Sequence, residues 1–284
     1  MSHITWEQAV QWLKEQPDQK ELVRACYYDD PLLDAAERYA RSEEWQAIEL
    51  LLPEPGHALD LGAGRGISSF ALARAGWKVD ALEPDDSDIV GRGAIKKLAM
   101  ESDLDIVPMQ GYAEQIPCED AHYDLVYGRQ VMHHAHNLQK MCHEVARTLK
   151  PGGKFIATRE HVISRKEDLA VFLTNHPLHH LYGGENAFLL DEYLNAIKDS
   201  GLRIERVFGP FDTPINYFPM TISQWRSHIQ GPLTNLLGAC LIGSILPESA
   251  AWTDAVNGWL ALLASHRDHT PGRLYTFVAS KPLR

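Results

Sequence analysis

The chain is predicted to be an α/β protein with a doubly wound, mostly parallel seven-stranded sheet, its helical insertions forming a cap over the site. Two observations predict this. From His57 to Arg159 short apolar runs alternate with amphipathic helical segments, and the runs are continuous rather than alternating, as strands covered on both faces are. A glycine-rich turn also stands directly after the first of those runs, where an open α/β sheet takes its ligand.

In chain order, Trp6, Val10, Trp12 and Leu13 fall near helical spacing, and Glu43 to Leu52 runs into Pro53 and Gly56, so residues 1–55 are read as an N-terminal helical lid. Ala58–Leu61 is the first strand. Ile67–Ala75 is a helix closed by Gly76, Lys78–Glu83 a strand, and Ser87–Met100 a helix. Strands follow at Asp105–Gln110 and Tyr123–Tyr127, then a helix at Asn137–Thr148 and, after the Pro151-Gly152-Gly153 turn, a strand at Lys154–Arg159. Alternation then breaks. Insertions are expected at about 160–187 and 210–272, separated by a helix at Leu189–Asp199 and a strand at Leu202–Val207. Leu274–Ser280 reads as a final edge strand, and Trp225 and Trp252 as the core of a small helical cap.

Of the 284 residues 45% are hydrophobic and 23% charged, a globular balance, and the formal net charge is -11. Such acidity opposes nucleic acid as a partner, because phosphate neutralisation needs a basic face. Cys26, Cys118, Cys142 and Cys240 are scattered without Cys-x-x-Cys pairing, which fits a reducing compartment. Met1–Gln11 does not read as a signal peptide, and Leu236–Leu246 is too short to span a bilayer. A cytoplasmic enzyme with no membrane partner is therefore expected. A homodimer is compatible with this reading.

The sharpest local signal is Asp60-Leu61-Gly62-Ala63-Gly64-Arg65-Gly66. A dinucleotide fingerprint needs its third glycine at position 67, where Ile67 stands. The acid followed by Gly-x-Gly-x-Gly instead resembles motif I of class I S-adenosylmethionine (SAM)-dependent methyltransferases, a Rossmann-like family. Glu83, at the tip of the second strand, has the placement of an acid that accepts both ribose hydroxyls. Gly111-Tyr112-Ala113-Glu114-Gln115-Ile116-Pro117 is similar to the Gly-Asp-Ala-Glu-x-Leu-Pro segment of the ubiquinone- and menaquinone-biosynthesis type, with Tyr112 in place of the acid. Tyr123-Asp124-Leu125-Val126, Val131-Met132-His133-His134 and Leu149-Lys150-Pro151-Gly152-Gly153 continue the resemblance in order, which covers about residues 56–160.

The resemblance implies SAM as cofactor, S-adenosylhomocysteine as product and a small-molecule acceptor methylated on oxygen, nitrogen or activated carbon. It implies cofactor contacts by Asp60, Gly62, Ala63, Gly64, Gly66, Glu83, Tyr112, Ala113, Glu114 and Gln130. In this family Asp60 would bond the methionine ammonium. The Asp-Pro-Pro-Tyr type motif that resembles base-amino methyltransferases is replaced by Gly128-Arg129-Gln130, which weakens nucleic acid further.

Histidine is the favoured base near neutral pH. His133 and His161 are the catalytic candidates, because both follow strands at the carboxyl edge. His134, His179, His180, Tyr182, Tyr27 and Tyr28 are candidates for the substrate, the segment 176–186 reading as a substrate loop. His133, His134 and His136 lack the i, i+4 ligand spacing, so no metal is expected. The alternatives are an enzyme of the same fold using a modified SAM or another part of SAM, a non-enzymatic SAM-binding module, and a nicotinamide-dependent oxidoreductase.

Overall fold

A computed structural model describes residues 4–237 and 250–283, with side chains from 231 to 254, that of Trp252 among them, left aside; Cys240 and most of Leu236–Leu246 lie outside the described residues. The principal path of the sheet has seven strands. They are β1 (His57–Leu61), β2 (Lys78–Leu82), β3 (Ile106–Met109), β4 (Tyr123–Arg129), β5 (Leu149–Ile163), β7 (Arg203–Phe208) and β8 (Arg273–Ser280). Their spatial order is β3-β2-β1-β4-β5-β8-β7, and β6 (Phe188–Leu189) pairs with β5 off this path. Strands β1 to β6 pair in parallel, whereas β8 is antiparallel to both β5 and β7.

The last strand is therefore not an edge strand, as its position in the chain suggests. It threads between β5 and β7, and β7 becomes the edge; the burial of Phe277, Val278 and Ala279 is the consequence. Strand β5 also runs beyond Arg159. A register shift between Ala157 and Glu160, with Arg159 at φ 61°, forms a bulge that carries the strand on to Ile163. Bulges re-aim side chains, and Glu160 and His161 lie just past this one.

Helices α5 (Ile67–Arg74), α6 (Arg92–Ser102), α7 (Leu138–Thr148) and α10 (Leu190–Asp199) cover the sheet. Helix α6 starts later than the sequence pattern suggests. Ser87 N donates to the Asp85 carboxylate and Val90 N to Ser87 Oγ, so residues 85–90 form side-chain-bonded turns instead. Gly91 permits the following step, since a Cβ there would lie 2.5 Å from the Asp85 carbonyl oxygen.

The N-terminal segment divides. In α3 (Leu32–Ala40) and α4 (Glu43–Glu49), Tyr39, Trp45 and Ile48 are buried in the same core as Ala58, Phe70 and Leu125. Only α1 (Trp6–Glu15) and α2 (Lys20–Ala25) form a separate packing unit, with Val90 and Leu178. The first insertion holds α8 (Asp168–Asn175) and α9 (His179–Tyr182); the second holds α11 (Pro214–Tyr217), α12 (Ile222–Leu237) and α13 (Ala250–Arg267). Trp225 packs with Ile229, Leu260 and Ala261 of the second insertion and donates Nε1 to the Phe211 carbonyl at 2.8 Å.

Candidate active site

Strands β1, β2, β4 and β5 end on one side of the sheet, and three groups of residues meet there. The first is the turn after β1. Gly62, Gly64 and Gly66 have φ of 67°, 56° and 85°, a left-handed conformation that costs an L side chain roughly 1–2 kcal/mol per residue. The requirement is sharpest at Gly62, where a Cβ would meet Val131 Cγ2 at 2.4 Å. At Gly64 a Cβ would find only the Val90 carbonyl, 4.0 Å away, so the backbone there faces open space.

The Glu83 carboxylate ties this turn to the next loop, accepting Gly64 N at 2.8 Å on one oxygen and Asp85 N at 3.0 Å on the other. Each oxygen keeps a further lone pair, and burial holds the Glu83 pKa above its ordinary value despite those two donors. Asp60 is buried, and Ser69 Oγ donates to it at 2.6 Å. Burial raises its pKa to about 7 against the Ser69 bond, with the nearby Glu83 charge adding to the rise. A buried carboxylate so weakly satisfied suits a cationic group. Backbone open over Gly64, lone pairs on Glu83 and the under-compensated Asp60 together fit the amino-acid and ribose parts of SAM.

Arg65, from the same turn, reaches the other way. Its guanidinium donates to the Tyr27 carbonyl at 3.0 Å, the Asp29 carbonyl at 3.3 Å and Asp30 Oδ1 at 2.9 Å. The α2–α3 connection is thereby latched to the glycine turn. Tyr27 is 2% exposed and packs edge-on against Tyr39, a packing role rather than an exposed acceptor contact. Tyr28 meets Trp6 at 6.0 Å between ring centres.

The second group, the loop after β3, is less committed to a ligand. Tyr112 is 62% exposed, lining with Gln110, His136 and Lys140 a hollow of about 1010 Å³ that contains none of the glycine-turn residues. Ala113 packs on the core, and Glu114 Oε1 accepts His136 N at 2.8 Å and Asn137 N at 3.3 Å, joining this loop to the start of α7. Gln130 adopts φ 55° and its Oε1 accepts Arg129 Nη1 at 2.9 Å. Arg129 in turn pairs with the fully buried Glu44 at 2.7 Å, and Arg159 lies 3.8 Å from the same carboxylate.

The third group is a histidine cluster. His133 Nδ1 lies 2.7 Å from Glu160 Oε2, and its Nε2 lies 3.6 Å from Glu185 Oε2. His134 Nδ1 lies 3.1 Å from the Gly184 carbonyl, and His161 Nδ1 2.8 Å from the Gly272 carbonyl. A carbonyl only accepts, so both rings carry the proton on Nδ1 and keep a lone pair on Nε2. His176 Nε2 lies 3.6 Å from Glu185 Oε1, which also accepts the Tyr182 hydroxyl.

Burial opposes a charge on His133, but the Glu160 and Glu185 carboxylates outweigh it and raise its pKa to about 9. Burial and then the His133 charge press His134 down to about 4 and His161 to about 3. Glu185 is held below its ordinary value, the surrounding histidines overcoming its burial.

The structure thus brings His133, His134, His161 and Tyr182 together. His179 and His180 start the short helix α9, where His180 stands 6.2 Å from Trp12 of α1. His176 and Glu185, from the segment read as a substrate loop, and Glu160, which was not singled out, complete the cluster. The signal for the acids was their placement: Glu160 directly precedes His161 in β5, and Glu185 follows the Gly183-Gly184 pair.

Residues 59–157 match the family model described as "Methyltransferase domain". The chain is 36% identical to the dimethylglycine N-methyltransferase of Parasynechococcus marenigrum (strain WH8102) over 109 residues, 38% of this chain and 38% of that enzyme. The chain matches less than half the length of the first curated relatives, from 33% to 47%. Among solved structures, a protein of Galdieria sulphuraria assigned as a sarcosine dimethylglycine methyltransferase superposes with a TM-score of 0.58 at 21% identity, covering 97% of this chain and 98% of that one. A geranyl diphosphate methyltransferase in complex with SAM gives a TM-score of 0.57 at 16% identity, covering 89% and 91%. The fold is that of these proteins, and the stretch that resembles motif I and the blocks after it lies within residues 59–157, which match the methyltransferase-domain family.

Proposed function

We propose that the chain is a SAM-dependent methyltransferase acting on a small-molecule acceptor. One observation carries the reading: the matched segment 59–157 contains Asp60, the three left-handed glycines, Glu83, Tyr112 to Glu114 and His133, so the cofactor candidates and the first histidine of the cluster belong to one domain. SAM would supply the electrophilic methyl group. Asp60 and Glu83 would hold its ammonium and ribose, and the turn at Gly64 would pass close beneath it. Dimethylglycine and sarcosine appear in the names of similar proteins and give a first set of acceptors to screen. The N-terminal segment, latched by Arg65, and the segment of α8 and α9 would exclude water from the strand ends. Among the described residues no helix is long and apolar enough to cross a membrane.

The acceptor would lie against the histidine cluster. A base works best with a pKa near the working pH, and His133 near 9 and His161 near 3 stand on either side of it. His133 would therefore hold a proton between two carboxylates. His161 would accept a hydrogen bond from the acceptor through Nε2, aligning its nucleophilic atom. Methyl transfer would then depend mainly on positioning.

A thermal-shift titration with SAM, S-adenosylhomocysteine, NAD and NADP tests the reading. At about a hundred times its dissociation constant a ligand stabilises by roughly 2.7 kcal/mol, several degrees for a chain of this size. SAM and its product should both shift the wild type, and Glu83→Ala should lose most of that shift. A shift with a dinucleotide alone would overturn the assignment.

A further inference from the structure

The histidine cluster has the organisation of a metal centre. His133 Nε2 and His134 Nε2 lie 3.6 and 4.0 Å from Glu185 Oε2, and the three groups each turn one ligand atom into a space where all such atoms are within 4.8 Å of one another. Nitrogen and oxygen ligands about 2.0–2.1 Å from a tetrahedral zinc stand roughly 3.3–3.4 Å apart. The two spacings to Glu185 exceed that by roughly 0.2 to 0.7 Å and the histidine pair lies within 4.8 Å, so the three side chains would draw together around an ion.

The surroundings of the three ligands matter as much as their spacing. A metal-bound histidine characteristically gives its other ring N–H to a carboxylate or a backbone carbonyl, fixing tautomer and orientation. His133 Nδ1 is so engaged by Glu160, and His134 Nδ1 by the Gly184 carbonyl. Glu160 is itself fixed by Val131 N at 3.0 Å and His133 N at 3.1 Å. Glu185 is 9% exposed; the Tyr182 hydroxyl binds its Oε1, while Oε2 is buried with no hydrogen-bond partner. That oxygen points at the two imidazoles.

We propose that His133 Nε2, His134 Nε2 and Glu185 Oε2 form a binding site for one divalent transition-metal ion such as zinc, the proton that His133 Nε2 holds in the ion-free protein leaving to solvent as the ion enters. Two imidazoles and one carboxylate are the ligand set of open catalytic sites, which leave a fourth position for a small molecule. An ion there would polarise an oxygen or nitrogen of a bound acceptor; this use rests on the methyltransferase reading, whereas the binding itself does not. His161 and His176 meet the same carboxylate from its other side and form the neighbouring triad.

The test is equilibrium dialysis of chelator-treated full-length protein against Zn²⁺ alone, without SAM, with Co²⁺ as the spectroscopic probe of ligand geometry. One equivalent of Zn²⁺ should bind, and Co²⁺ should give the visible spectrum of a four-coordinate ion. His134→Ala, at a side chain 39% exposed and tolerant of truncation, and Glu185→Gln should each weaken Zn²⁺ binding on the order of a hundredfold or more. Glu160→Gln should weaken it about ten- to a hundredfold through His133. His57→Ala, in the distant His57–Asp80–His122 group, should leave it unchanged. Failure of wild-type protein to take up stoichiometric Zn²⁺ would overturn the proposal. So would binding that survives both His134→Ala and Glu185→Gln, or that His57→Ala abolishes. A SAM-induced thermal shift with no metal bound would leave the methyltransferase reading standing alone.

Discussion

Histidines and acids gather at both ends of the sheet, and the two gatherings differ in kind. Where strands begin, His57 opens β1, its Nε2 3.0 Å from Asp80 Oδ2, and the Tyr123 hydroxyl at the start of β4 donates to the same oxygen at 2.9 Å. His122 packs edge-on against both rings. These contacts join β1, β2 and β4 directly to one another. Where the strands end, His133, His134 and His161 spend their Nδ1 atoms on Glu160 and backbone carbonyls, and one buried oxygen of Glu185 is left without a hydrogen bond inside the protein. Similar residue types serve cohesion at one end and an available site at the other. In an open parallel sheet, the loops after the strands are where a ligand is met.

Loss of function at one end and of stability at the other would sharpen this contrast, and the largest effect belongs to His161. If it aligns the acceptor through Nε2, His161→Ala should lower kcat by about a hundredfold, the scale of a small misplacement of reacting groups. The SAM-induced thermal shift should persist. His57→Ala should leave kcat within about twofold of wild type. Equal losses from the two substitutions, measured as S-adenosylhomocysteine formed with the acceptor found by screening, would erase the distinction.

The opposite bias is expected at Tyr123. Tyr123→Phe leaves the partly buried Asp80 without its hydroxyl donor, a change worth about 1–3 kcal/mol. In a chain of this size each kcal/mol lowers Tm by roughly 2–4 °C, so calorimetry resolves it. SAM affinity, measured on the same protein, should stay the same. A Tm unchanged by Tyr123→Phe would mean that the cohesion lies elsewhere.

The two ends were unequally legible in the sequence. Asp60, Gly62, Gly64, Gly66 and Glu83 stand within a few residues of strand tips, so local pattern placed them at the ends of β1 and β2, and the structure ties Glu83 to the turn through Gly64 N. The parallel pairing of β1 to β5 followed from the same β-α alternation. The position of β8 did not, because an insertion between β5 and β7 is decided by long-range pairing that leaves no mark on a single run. The histidine cluster was half legible. His133 follows β4 as expected, whereas His161 lies inside the extended β5, and their partners Glu160 and Glu185 are contributed by the bulge region and by a loop 50 or so residues away, so only folding brings them together. Arg65 and Glu44 were missed for the same reason, since each acts on partners far along the chain.

The smallest predicted effect concerns Asp60, which shares β1 with His57 but lies towards its other end. Its folded pKa near 7 exceeds the value of about 3.9 expected in an unfolded chain. The folded state therefore holds the extra proton, and Asp60 contributes stability that is complete below about pH 4 and lost as the pH rises through 7. Asp60→Asn should accordingly gain on the wild type in ligand-free Tm as the pH goes from 5 to 8. Binding of an ammonium group draws on the ionised carboxylate, so SAM affinity should climb between about pH 5.5 and 7, by at most tenfold per pH unit, and then level as the ligand's own amino group, with a pKa near 8, begins to lose its proton. Calorimetric titrations across that range should show the climb in the wild type and a flat, weaker affinity in Asp60→Asn. A flat wild-type profile would place the ammonium elsewhere and leave Asp60 with a structural task, like its counterpart Asp80 on β2.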